Sequence, residues 1–184
     1  MRGDGDGWVV GTDGSRRWGR FGAAGLVVRA PAADGTPVVL LQHRVWWSHH
    51  GGTWGVPGGA RDSHESAADA AIREAGEEAG IDPAALVVRD TRVTADLDSG
   101  RWTYTSVLAE TAAPLPTVPS GESAELRWVP EREVETYALH PGFAASWPAL
   151  RVREVAVESV DIDAGQRLVR LAECYGWVPG VPPA

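Results

Sequence analysis

The sequence contains no lysine. All 17 basic residues are arginines, set against 25 acidic ones, for a formal net charge of −8. Such an acidic surface argues against a binder of nucleic-acid polymers, because neutralising a phosphate backbone takes basic patches. A small phosphorylated ligand stays compatible if a metal ion and local arginines offset the field. Cysteine occurs once, at Cys174, so the chain can form no internal disulfide and no cysteine-rich metal cluster. No apolar run approaches the roughly 18–20 residues of a membrane span. The N-terminal stretch MRGDGDGWVVGTDG is acidic and Gly-rich, without the charged-then-apolar layout of a signal peptide. These absences point to a cytoplasmic protein without a membrane partner. The 184 residues, 43% of them hydrophobic, suffice for one domain with a sizeable core.

No internal repeat is visible. Residues 1–20 read as a loosely packed arm. FGAAGLVVRA (21–30) and TPVVLLQHR (36–44) read as strands joined by a turn. VWWSHHGGTWGVP (45–57) is too rich in Gly and Trp for a regular element and reads as a loop entering a short strand. Residues 85–97 and 101–110 read as a hairpin across DSG, and 111–123 as a Pro-rich loop. A further strand is expected over 124–129, then two short helices opening at PEREVETY and PGFAASWPALR. Residues 152–160 and 161–176 fit a last strand and helix. Strands and helices mix without strict alternation, which indicates an α/β or α+β layered domain.

The most chemically loaded stretch is GGARDSHESAADAAIREAGEEAG, residues 58–80. It predicts a helix over 63–79. Asp62 and Glu65 resemble a capping box, Gly80 stands at the C′ position and Pro83 blocks continuation. Ala68, Ala71, Ile72, Ala75 and Ala79 form the buried stripe. Glu74, Glu77 and Glu78 then crowd an arc of about 100° beside that stripe, with Arg73 four residues before Glu77. Like charges so placed repel, and a solvated face is the ordinary explanation of a Glu-rich helix. Here the acids cluster, no cation flanks the other side of the arc, and Gly76 weakens the helix by about 1 kcal/mol against Ala. Close approach of something at Gly76 would explain that cost. A cradle of hard oxygen ligands for Mg²⁺ or Mn²⁺ would explain the acids.

Gly59, Glu65 and the run Arg73-Glu74-Ala75-Gly76-Glu77-Glu78-Ala79-Gly80-Ile81 resemble the complete signature of the Nudix hydrolase family (MutT-like). Seven fixed residues coincide by chance on the order of 10⁻⁸ per start position at average composition. Ala75 is smaller than the aliphatic residue the family prefers. The resemblance implies an α/β/α sandwich with a mixed sheet over residues 21–151 and a loop-helix-loop at its catalytic motif. Residues 1–20 become an N-terminal arm. Residues 152–184 become an extension that packs on the domain or on a partner copy, so a homodimer is one compatible arrangement. The carbonyl of Gly58, with Glu74, Glu77 and Glu78, resembles the family's metal shell for Mg²⁺ or Mn²⁺. Arg73 would orient Glu77, and Glu65 would support the motif.

The implied reaction is water attack on phosphorus in a nucleoside di- or triphosphate or a derivative. Divalent ions would neutralise phosphate oxygens and lower the pKa of a bound water, and a carboxylate would take the proton. Glu77 and Glu78 of the motif are candidates for that base, as is Glu122 in a later loop, with Glu125 its rival. Arg44, at a strand end, resembles a substrate-contacting arginine, although a surface role is equally ordinary. The sequence has nine tryptophans. Trp46, Trp47 and Trp54 crowd the loop before the motif, and Trp102 and Tyr104 alternate on one strand. Each fits a core, but Trp46, Trp102 and Tyr104 are also candidates to stack a base or line a pocket. His43, His49 and His50 lack the spacing of a zinc motif and read as phosphate contacts or loop residues. ADP-ribose, a nucleotide sugar and a prenyl diphosphate remain open as substrates, as does a Nudix-fold module that binds a nucleotide without cleaving it.

Overall fold

The central strand is AAGLVVRAP. Its apolar run, broken only by Arg29, is the signature of a strand covered on both faces. In the computed structural model, which describes residues 3–151, this is β3 (Ala23–Pro31), buried at every position but the last. Two short strands precede it, β1 (Trp8–Val10) and β2 (Arg16–Trp18). The remaining strands are β4 (Pro37–Arg44), β5 (Trp54–Gly55), β6 (Gly58–Ala60), β7 (Val87–Leu97), β8 (Trp102–Glu110) and β9 (Ser123–Pro130). The helices are α1 (Ala67–Ala79) and α2 (Pro141–Leu150), and 3-10 turns lie at Pro83–Ala85 and Glu131–Thr136.

Strands β3 to β9 form one mixed sheet in which β3 and β8 run parallel and the other pairs antiparallel. β3 and β4 pair only next to their connecting turn, from Arg29–Val39 to Pro31–Pro37. Beyond it they diverge. β6 takes the free side of β3, and β5 pairs with β4 at Gln42 and His43. The split carries residues 54–60 into the sheet and brings the Gly58–Gly59 backbone beside the central strand.

One core lies on each sheet face. Ala70, Ala71, Ala75 and Ala79 of α1 pack on Ala24, Leu26, Val28 and Leu40. On the other face Phe143, Trp147 and Leu150 of α2 pack on Val27, Val39, Leu41 and Leu108. This is the expected α/β/α sandwich. Alanines along α1 let the helix sit close to the sheet, so the carboxylates beside them are drawn towards the interior. A buried ion pair between Arg29 and Glu131, with Arg29 also donating to the Leu150 carbonyl, ties β3 to the end of α2.

Three expectations change. α1 starts four residues later than predicted. Its N-cap is Ser66, in a reciprocal capping box with Asp69. Glu65 still accepts the Asp62 N–H at 3.1 Å, as the expected box requires, but its carboxylate is shared with Arg73 and the helix does not start there. Within residues 1–20, the expected loose arm contains the hairpin β1–β2, in which Trp8 meets Trp18 edge-on at 5.2 Å. That hairpin is fastened by Trp102 Nε1–H to the Trp18 carbonyl at 2.9 Å and by Gly5 N–H to Asp62 Oδ1 at 2.8 Å. Gly76 serves no close approach among the described residues: outside its own helix, an added Cβ would meet only the Ile81 carbonyl, at 3.6 Å. The strand and helix expected over 152–160 and 161–176, and the packing of the extension, lie outside the described residues.

Candidate active site

The site is built where α1 crosses the β3–β6 junction. Gly25 of β3 pairs with Gly58 of β6, and Ala24 with Gly59. A Cβ on Gly58 would lie 2.4 Å from the Ala24 carbonyl oxygen, and one on Gly59 would lie 2.4 Å from Glu74 Oε1. The two glycines therefore do separate jobs. Gly58 lets the backbone meet β3, and Gly59 leaves room for a carboxylate.

Glu78 is 6% exposed and accepts the Gly58 N–H at 2.9 Å through Oε2. Burial, with the negative charges of Glu74 and Glu122, pushes its carboxyl up to about 7, against the opposing pull of the Gly58 N–H and Arg44. Glu74 is also raised, by burial first and by Glu77 and Glu122, although Arg73 counters this. Glu77 is different: its side chain is 62% exposed.

Arg73 organises the motif, but not as expected. Its Nη1 lies 3.5 Å from Glu77 and 2.8 Å from Glu74. Nε and Nη2 grip both oxygens of Glu65, at 2.7 and 3.0 Å, and Nη2 also donates to the Ala60 carbonyl. Arg73 is thus a positioning residue for Glu65, Glu74 and the turn, and only marginally for Glu77.

Glu122 is exposed in the turn just before β9, yet its charge reaches both Glu74 and Glu78. Its position follows from helix termination. The last carbonyls of α1 need donors, and the 118–123 loop supplies them: Val118 N–H to Ala79, Ser120 N–H and Ser123 Oγ–H to Glu78. No ion-pair partner for the Glu122 carboxylate occurs among the described residues. Glu125, by contrast, is paired with Arg127.

Arg44 is half-buried, and its charge acts on Glu78 and on Tyr104. Tyr104 lies over Gly25, where a Cβ would collide with its hydroxyl oxygen at 2.1 Å. Burial and the charge of Glu78 keep its phenol protonated well beyond the ordinary range. Of the remaining aromatic candidates, Trp102 packs beside Tyr104, their ring centroids 6.4 Å apart. Trp102 is buried with Ala23 and Leu97, its indole N–H spent on Trp18. Trp46 is 85% exposed, and Trp54 is buried, stacked on His43 at 4.6 Å.

Gly58, Glu74, Glu78, Glu122, Arg44 and Tyr104 thus share one region, and Glu77 sits at its solvent edge. Carboxylates and a backbone carbonyl are hard oxygen donors, and two of the acids are raised by burial and mutual repulsion. That donor set fits a Mg²⁺- or Mn²⁺-sized cation. The three helix glutamates do not form a closed cage. The ligand sets with all atoms within 4.8 Å, among the described residues, are His49–His50–His140 and Asp4–Asp62–His64. The residues that sequence reasoning missed are Ser120 and Ser123, which place Glu122, and His140. Only the serines had a local signal, in the turn-like PSGES.

The NUDIX domain family model matches residues 19–151. The chain is 58% identical over 174 residues to "Putative 8-oxo-dGTP diphosphatase 3" of Mycobacterium tuberculosis, covering 92% of this chain and 80% of that one. The crystal structure of a Nudix hydrolase from M. smegmatis, RenU, superposes with a TM-score of 0.77 at 58% identity, over 79% of this chain and 92% of that chain. An Ap4A hydrolase of C. elegans, at 24% identity and a TM-score of 0.57 over 70% of this chain and 94% of that one, shares the fold.

Proposed function

The chain belongs to the Nudix family and is a hydrolase acting on phosphoric anhydrides, and on that premise we propose that it converts a nucleoside triphosphate to the monophosphate and pyrophosphate, with an oxidised guanine nucleotide as its preferred substrate. Similarity over four-fifths of a relative described as an 8-oxo-dGTP diphosphatase supports the substrate. The chemistry rests on one observation, the buried Glu78 and the half-buried Glu74 set against the Gly58–Gly59 backbone, their charges disfavoured by burial and by neighbouring acids and countered only in part, at Glu74, by Arg73.

Gly58, through its carbonyl, with Glu74, Glu77 and Glu78 would hold Mg²⁺ or Mn²⁺, and the ion would screen the phosphate oxygens and acidify a water. Arg73 keeps Glu74 in place through its grip on Glu65. Arg44 supplies positive charge for a phosphate beside the carboxylates. Tyr104, uncharged, closes the wall over Gly25 without adding another anion. Glu122 accepts the proton of the attacking water as the new P–O bond forms. The anhydride P–O bond breaks, and pyrophosphate leaves with its electron pair.

The test is phosphate and pyrophosphate release with Mg²⁺ and then Mn²⁺, across canonical and oxidised dNTPs, ADP-ribose, nucleotide sugars and prenyl diphosphates. Pyrophosphate from 8-oxo-dGTP is expected, lost on adding EDTA and in Glu78→Gln. Preference for ADP-ribose or a prenyl diphosphate would replace the substrate assignment. Binding without turnover throughout would identify a non-catalytic module.

A further inference from the structure

His49 and His50 sit in the loop after β4, and His140 stands at the start of α2. One ring nitrogen from each lies within 4.8 Å of the other two. The His49–His50 and His50–His140 ring centroids are 4.1 and 4.8 Å apart. We propose that these three imidazoles form a second metal site, for a borderline divalent transition metal such as Zn²⁺ or Co²⁺, separate from the carboxylates of α1.

The donor set favours that class of ion. Imidazole nitrogens without a carboxylate select Zn²⁺, Co²⁺ or Ni²⁺ over Mg²⁺. Three protein ligands leave a fourth tetrahedral position for water or an anionic oxygen. Bond lengths of about 2.0–2.1 Å require the nitrogens to draw somewhat closer. The loop is already shaped for this. The His49 carbonyl accepts Arg44 Nε–H at 3.2 Å, and the His50 carbonyl accepts the Thr53 hydroxyl at 2.6 Å. His50 is held at φ 54°, a left-handed conformation that a non-glycine residue adopts at a cost. On the helix side, His140 N–H donates to the Trp54 carbonyl at 2.7 Å. Trp8 stands edge-on to His49 at 5.9 Å as an apolar flank.

Two features oppose the ion. The charges of Arg44 and Arg17 reach His49, and Arg44 reaches His140. Arg44 is itself partly offset by Glu78 on its other side. In addition, His140 Nδ1 accepts the Gly142 N–H at 3.1 Å as the cap of α2. Ligation through Nε2 moves the ring proton to Nδ1 and breaks that cap, one hydrogen bond set against three metal–ligand bonds. A bound ion would fasten the 45–53 loop, with Trp46 and Trp47, to the first turn of α2.

The experiment uses the untagged full chain carrying Cys174→Ser, which removes the one thiol, in saturating Mg²⁺. Zn²⁺ is titrated calorimetrically and Co²⁺ by its visible absorption. One Zn²⁺ per chain is expected, with Co²⁺ giving the intense bands of a four-coordinate site. His49→Ala and His50→Gly should each weaken Zn²⁺ about 100-fold, as should His140→Asn, which preserves a capping oxygen. Glycine suits the left-handed backbone at residue 50, so folding survives. Glu78→Gln should leave Zn²⁺ uptake unchanged. No uptake at micromolar Zn²⁺, or uptake that depends on Glu78 and ignores the histidines, would overturn the proposal.

Discussion

Gly58 and Glu78, twenty positions apart, are joined by a hydrogen bond of 2.9 Å from the glycine N–H to the carboxylate. The bond couples the β6 turn to the last turn of α1. It holds a carboxylate in a place where burial and two other acids disfavour its charge.

That conflict predicts a pH signature in the metal-free protein. Glu78 is raised from 4.5 to about 7, so between those values the folded chain retains a proton that the unfolded chain releases. Stability from this group is fully present below pH 4.5 and is lost as pH rises through 7, on the order of 3 kcal/mol. His140 is lowered from 6.5 to about 4, chiefly by burial, so its contribution is present above 6.5 and is lost as pH falls through 4. The two slopes oppose each other. Denaturant titrations in EDTA should show Glu78→Gln gaining stability as pH rises from 4 to 6.5, and His140→Asn losing it from 4.5 to 7. Equal slopes in the two variants would refute the assignment.

Gly58→Ala and Gly59→Ala should fail differently. At Gly58 the new Cβ meets the backbone of Ala24 and Gly25, so the fold should lose about 1–3 kcal/mol. At Gly59 it meets the Glu74 carboxylate. There, thermal stability should hold while the Mg²⁺ needed for half-maximal activity rises about 10- to 100-fold. Melting curves and Mg²⁺ titrations separate the two.

Gly76→Ala should stabilise the protein by up to about 1 kcal/mol, because the helix gains propensity and the added Cβ makes only an ordinary van der Waals contact with the Ile81 carbonyl among the described residues. Unfolding in urea measures this. A stabilised variant that has lost turnover would instead show that a ligand approaches Gly76.

Arg73→Lys keeps the charge but cannot grip Glu65 through two nitrogens while reaching Glu74 and the Ala60 carbonyl. Activity should fall about 10- to 100-fold, with partial rescue by excess Mg²⁺. Loss of turnover without any change in Mg²⁺ dependence would mean that Arg73 touches substrate.

Much of this was legible in the sequence because it is local. The Ala stripe, Gly80 and the spacing of Glu74, Glu77 and Glu78 all obey the helical period, and Gly80 caps α1 at φ 68° as expected. What escaped depends on partners far away. Two capping patterns overlap at 62–69: Glu65 accepts the Asp62 N–H, yet the reciprocal box that opens the helix is Ser66 with Asp69. The i,i+4 rule points Arg73 at Glu77, whereas Glu65 and Glu74 win because they are more buried and lie closer. The β1–β2 hairpin needs Trp102, 84 positions from Trp18. His140 lies 90 positions after His50, so no local spacing could announce their cluster. The divergence of β3 and β4, which admits Gly58 to the site, leaves no periodic trace.

Electron paramagnetic resonance of Mn²⁺ reads directly whether the α1 carboxylates hold a divalent ion. Titrated with the wild-type chain, the signal of free Mn²⁺ should fall to saturation at one or more ions per chain. Glu78→Gln should weaken that uptake about 10- to 100-fold, with Glu77→Gln acting in the same direction. Equal uptake by all three proteins, or none by the wild type even with nucleotide present, would mean that these carboxylates hold no divalent ion.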